Sequence, residues 1–158
     1  MTRINCVPAK TLCQQHLVAE YRELPRIFGS VRKAIERGES PSDERNPPTY
    51  RLGKGHVRFF YPRLQYLADR QADIVREMKE RGITVNFEAP TRAQYDDIPD
   101  EWFGNWTPAA DAVAINTARI NERMPKKPIF KRLDTINNTA LVRHTSHSAV
   151  NDRSYKKL

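Results

Sequence analysis

The sequence predicts an all-α fold, a compact single domain of three main helices joined by long irregular loops. Three observations predict it. Apolar residues recur at helical steps in two long stretches and more weakly in a third. Gly and Pro stand where those stretches should start and stop, and the segments between them hold too many Pro and Gly residues to continue the period. At 158 residues with 39% hydrophobic content, the chain can bury one modest core, because single domains cluster near ~100–150 residues. The folded domain is expected over residues 1–133, with a basic disordered tail over 134–158, where Thr, Asn, Ser, Arg and Lys replace large apolar residues.

The first helix is expected from about Thr11 to Arg37. Leu17, Tyr21, Leu24, Phe28, Val31 and Ile35 alternate at steps of four and three, which marks the core side of an amphipathic helix, and Gly38 suits the position just past its end. Arg22, Glu23, Arg26 and Lys33 fall on the solvent side, with His16 and Glu20 in line with Glu23 at steps of four and three. Pro25 lies inside this helix and removes the amide that would bond the Tyr21 carbonyl. A kink costing about 3 kcal/mol is expected there. Gly29 adds a position where another backbone could come close.

The second helix is expected from Pro62 to Arg81, ended by Gly82 and burying Leu64, Leu67, Ile74 and Met78. Gln71 shares that stripe, either as a hydrogen-bonded core or boundary residue or as a group that reaches a bound base or sugar. The third is expected to open with Thr107 as N-cap and Pro108 behind it, and to pack through Ala110, Val113, Ala114, Thr117 and Ile120. Residues 39–56, with Pro41, Pro47, Pro48, Gly53 and Gly55, read as an irregular connector. Residues 83–106 read as a loop in which Trp102 and Trp106 pack over the bundle.

Charge points to a polyanion. The net charge is +8 and the pI about 9.7, and the charge is segregated: +4 over residues 1–37, +5 over 45–81 and +7 over 118–158, against −5 over 82–117. One basic face for a phosphate backbone and an acidic back are expected. Lys54, flanked by Gly53 and Gly55, reads as a turn that touches phosphate or as a plain surface turn.

Other classes are excluded. Cys6 and Cys13 lack metal-ligand spacing and read as free thiols of a reducing compartment. No stretch approaches the ~20 apolar residues of a membrane span, so an intracellular, soluble protein is expected, not a secreted one. With the basic charge pattern, the expectation is a cytoplasmic, DNA-associated monomer. The GKGH turn lacks the spacing of a phosphate-binding P-loop. His144 and His147 with Asp152 do not complete a metal-ligand set, and no carboxylate cluster has two-metal spacing. No metal or cofactor is expected.

The chain start carries chemistry. Thr2 is small enough for Met1 to be removed, which would leave a free α-amine on Thr2. Such an amine titrates at about 7.7–8.0. Nearby cations such as Arg3, Arg22 and Arg26 would favour its neutral, nucleophilic form, which can make a Schiff base.

MTRIN at the start, QHLVAEYRELPRIFGSVRK at 15–33, GKGHVRFFY at 53–61 and ARINER at 118–123 together resemble the pyrimidine-dimer DNA glycosylase/AP lyase family, the phage endonuclease V type of ultraviolet-repair enzyme. The resemblance spans roughly residues 1–132 and weakens after about residue 83. It implies double-stranded damaged DNA as partner, the Thr2 amine as nucleophile at the sugar C1′, and Glu23 as the carboxylate that stabilises the cationic intermediate and assists proton transfer. It also implies DNA contacts from Arg3, Gln15, His16, Arg22, Arg26, Arg32, Gln71, Arg119 and Arg123, the last standing where a lysine is usual. After residue 127 the chain departs. Where relatives carry an aromatic-rich segment that reads the lesion, this one has PIFKRL, with only Phe130 among Lys131, Arg132 and Leu133.

The implied function is excision of cyclobutane pyrimidine dimers, followed by β-elimination that nicks the strand. Two rivals differ in kind. A glycosylase/lyase for another lesion would keep Thr2 and Glu23 and differ at 128–133, whereas a non-catalytic basic DNA-binding protein would keep the arginines and lose the amine.

Overall fold

The computed structural model describes residues 3–130, and the chain is all-α over that range. Thr2, Lys131 to Leu133 and the 134–158 tail with His144, His147 and Asp152 lie outside the described residues. Five helices follow in order: α1 (Gln14–Glu23), α2 (Arg26–Glu36), α3 (His56–Phe59), α4 (Leu64–Glu80) and α5 (Ala110–Glu122). Helix α1 packs against α4 and α2.

The expected first helix is thus two helices, and Pro25 is the reason. Without an amide at residue 25, the Tyr21 carbonyl has no helical partner. Gln71 supplies one, its Nε2 donating to Tyr21 O at 3.0 Å. The apolar stripe runs on across the break, so Leu17, Tyr21, Leu24, Phe28 and Val31 are all buried. The chain before α1 is not helical as expected from Thr11, because Ala9–Thr11 is only a 3₁₀ turn. Gly38 and Gly82 end α2 and α4 at positive φ, 80° and 74°, and the amides that follow them bond back to Ala34 and Met78.

Short α3 begins at His56, the last residue of the stretch read as a connector. Gly55, at φ 88°, precedes it, and a Cβ there would lie 3.1 Å from Pro47 Cγ and 3.2 Å from Arg51 Cδ. Helix α4 begins two residues later than expected, since the Pro62 carbonyl instead accepts from the Gly104 amide at 3.1 Å. Helix α5 begins after Ala109, not at Thr107 and Pro108. Its buried face is Ala112, Asn116 and Ile120, whereas Ala110, Ala114 and Thr117 of the expected face are exposed.

Both tryptophans pack as expected. Trp102 is buried, and the Trp106 ring stacks on Tyr50 and meets Phe59 and Tyr66 edge-on at 5.0 Å.

Candidate active site

Residues 4–7 thread between helices with no neighbouring strand, so their backbone groups need other partners. Side chains from every part of the fold provide them. Ile4 N donates to His56 Nε2 at 2.8 Å, and Tyr50 Oη donates to the Ile4 carbonyl at 3.3 Å. The Asn5 carbonyl accepts from Tyr66 Oη at 3.3 Å, Cys6 N donates to Asn116 Oδ1 at 2.8 Å, and Arg70 holds the Val7 carbonyl.

The Asn5 side chain completes the clamp. Its Nδ2 donates to Glu20 Oε1 at 2.7 Å, and its Oδ1 accepts from Asn116 Nδ2 at 2.8 Å. Glu20 is in turn bonded by Arg70 Nε at 2.8 Å and Nη2 at 3.1 Å. Glu20 was expected among solvated charges; it is instead 2% exposed and charge-paired. A buried carboxylate persists only with such a partner. Burial raises the Cys6 thiol to about 11, so it stays neutral, and Cys6 and Cys13 are free thiols.

This clamp fixes where residue 3 leaves the core. Arg3 is partly buried with its guanidinium affinity for protons lowered, first by burial and then by the neighbouring charges of Arg123 and Arg119. Glu122 opposes them and pairs with Arg119 at 3.5 Å, so the arginines outnumber the carboxylates around Arg3. Glu23 stands three residues past Glu20 on α1. His16 on the same line touches the Arg123 carbonyl at 3.1 Å, so this side of α1 faces the chain start and the end of α5. Glu23 pairs with Arg26 at 3.2 Å and is one-third exposed. Arg22 and Arg26 are exposed beside it, and Lys33 is exposed further along α2.

Other residues expected at the DNA are bonded within the chain. Gln15 uses both ends of its amide on the chain after α5, Nε2 donating to Lys127 O at 2.9 Å and Oε1 accepting from Ile129 N at 3.2 Å. Gln15 and His16 therefore strap residues 123–129 along the start of α1, which leaves Ile129 and Phe130 exposed there. Arg32 is spent on Asp97, with Nε at 2.8 Å and Nη2 at 2.7 Å, and lies over the Tyr95 ring. It belongs with the acidic stretch and not with the other arginines. Gln71 is wholly buried, serving the Tyr21 carbonyl. Among the described residues, and leaving aside its own helix turn, no atom comes within 4 Å of where a Gly29 Cβ would stand, so that side of α2 is open.

Sequence reasoning missed the clamp residues Asn5, Glu20, Tyr50, His56, Tyr66, Arg70 and Asn116. A signal for three of them existed. Glu20 sits between Leu17 and Leu24, Arg70 between Leu67 and Ile74, and Asn116 between Val113 and Ile120, each at core-facing steps of three or four.

The family model for pyrimidine dimer DNA glycosylase matches residues 1–91. The chain belongs to this family. With membership comes the coarse activity, DNA repair by a glycosylase acting on pyrimidine dimers. The matched span holds Glu23, Arg22, Arg26 and the whole clamp apart from Asn116; α5 with Arg119, and Arg123 just after it, lie beyond. No helix of the described residues is long and apolar enough to cross a membrane. Among the same residues no group of three His, Cys, Asp or Glu side chains could hold a metal.

Proposed function

We propose that the chain is a bifunctional pyrimidine-dimer glycosylase and AP lyase whose nucleophile is the α-amine of Thr2. The observation that carries this reading is the clamp on residues 4–7, which fixes Arg3, the first described residue, within reach of the charges of Arg119 and Arg123. A mobile tail would need no such anchoring.

The neutral amine attacks C1′ of the 5′ nucleotide of the dimer. A C1′–N bond forms as the glycosidic bond breaks, and the departing pyrimidine nitrogen takes a proton. Opening of the sugar ring gives an iminium. Loss of a C2′ proton then expels the 3′ phosphate, and water hydrolyses the imine to free the enzyme. Glu23 stabilises the cationic sugar and moves the proton in the elimination. These steps need an amine and a carboxylate, not a Lewis acid, so cleavage is expected in EDTA. Arg22, Arg26, Arg3, Arg119 and Arg123 neutralise phosphates of a duplex that must be distorted to expose C1′, a cost of a few kcal/mol.

Duplexes carrying a single defined lesion test the reading. Nicking of a cyclobutane dimer and of an abasic site in EDTA is expected, with an intact undamaged duplex. Cleavage of ring-opened purines with the dimer untouched would move the lesion assignment to 128–133, and no cleavage of any lesion would leave only a DNA-binding protein.

A further inference from the structure

His56 is buried at the start of α3, and both ring nitrogens are engaged by backbone. Nε2 lies 2.8 Å from Ile4 N, which can only donate, and Nδ1 lies 2.8 Å from the Arg51 carbonyl, which can only accept. The ring is therefore neutral with its proton on Nδ1. A second proton on Nε2 would set N–H against N–H at that distance. The fold also fixes the ring itself. Tyr50 and Phe60 meet it edge-on at 5.5 Å, and the positive-φ turn at Gly53 and Gly55 returns the His56 amide to the Gly53 carbonyl at 3.1 Å.

We propose that His56 is a positioning residue for the catalytic amine: its neutral form pins Ile4, and its protonation releases the chain start and disables the site. The proposal rests on the Thr2 amine being the nucleophile. Ile4 is two residues from that amine, so the Ile4–His56 bond is the contact nearest the terminus among those that tie down residues 4–7.

Burial outweighs the surrounding groups, and the net effect is to lower the His56 value. Burial lowers the affinity of His56 for its second proton, the Arg51 carbonyl opposes that, Arg3 lowers it further and Glu20 raises it. Glu20 is already matched by Arg70. The Tyr50 phenol stays neutral because burial raises it above the usual tyrosine range, and Arg58 on the same helix is paired with Glu39. A folded state that resists protonation binds fewer protons than the unfolded chain. The contact is therefore whole above the ordinary histidine value of about 6.5 and is lost only as pH falls through the lower value that burial gives the folded ring.

The amine also protonates in acid, so falling activity alone cannot separate the two effects. The test tracks the Ile4 amide by NMR from about pH 7.5 to about pH 5 in wild type, His56→Gln and His56→Leu, with borohydride trapping on dimer DNA alongside. The Ile4 amide shift should titrate together with the His56 ring in wild type. Gln, which can accept from Ile4 and donate to Arg51, should keep the contact without titrating. Trapping at neutral pH should fall at least about tenfold in His56→Leu and about threefold or less in His56→Gln, with dimer-duplex affinity held within about twofold in both. An Ile4 amide indifferent to His56 titration, or wild-type trapping by His56→Leu, overturns the proposal. Coupled titration in a wild-type protein that forms no terminal adduct overturns the nucleophile assignment and the catalytic half of the proposal with it, and the Ile4 shift tells these failures apart.

Discussion

Glu20→Gln should be among the most damaging single substitutions in the chain, although it changes one oxygen to a nitrogen. Glu20 accepts from Asn5 at 2.7 Å and from Arg70 at 2.8 and 3.1 Å, and it and Arg70 are 2% and 6% exposed. The amide cannot neutralise the guanidinium, so a buried cation is left uncompensated, at a cost of about 3–5 kcal/mol. For a chain of this size each kcal/mol moves the midpoint by about 2–4 °C, so Tm should fall by roughly 6–20 °C. Circular dichroism melts of Glu20→Gln, Glu20→Leu, Arg70→Met and Glu20→Leu/Arg70→Met measure this. The double variant removes both charges and should recover much of the loss, because apolar replacement of a buried pair is often near neutral. A Glu20→Gln midpoint within about 2 °C of wild type, or a double variant no better than the sum of the singles, would refute the pairing as the anchor of the chain start.

Glu23→Gln should bind dimer duplex with near-wild-type affinity while base release falls by about 10²–10⁴-fold in single-turnover assays; near-normal excision would make Glu23 an ordinary surface carboxylate. Phosphate contacts from Arg3, Arg22, Arg26, Arg119 and Arg123 should give log K against log salt a slope of about −4 to −5, flattened by about one unit in Arg22→Gln. Arg32→Gln should leave that slope unchanged, because Arg32 is committed to Asp97; flattening there would place Arg32 on the DNA. Gly104→Ala should destabilise by about 1–3 kcal/mol in urea unfolding, since its Cβ would stand 2.4 Å from the Pro62 carbonyl oxygen. Unchanged stability would mean that the 62–104 contact yields easily.

Period and punctuation were the legible part of the sequence. The stripes Leu17 to Val31 and Leu64 to Met78 bury as their spacing requires, and Gly38 and Gly82 stop helices where a left-handed residue is needed. Polar partners were not legible, because they are set by tertiary proximity. Nothing near residue 25 says that Gln71 will take up the carbonyl Pro25 releases, and nothing local ties Glu20 to Arg70, fifty positions on. The same gap explains Arg32, which looks like its neighbours on α2 until Asp97 comes to meet it, and Gln15 and His16, whose partners come from the end of α5 and beyond. Glu23 and the arginines at 22 and 26 were legible as an exposed charged face, whereas the clamp behind the chain start was not.

The central claim, a terminal amine as nucleophile, is tested most directly by borohydride reduction of the protein on a duplex with one cyclobutane dimer, with peptide mass spectrometry of the cross-link. The adduct is expected on the α-nitrogen of Thr2. It should persist in Thr2→Ala, which still frees a primary amine, and vanish in Thr2→Pro or with an acetylated terminus while DNA binding remains. An adduct on Lys33 or Lys54, or full excision and nicking by protein with a blocked terminus, would contradict it.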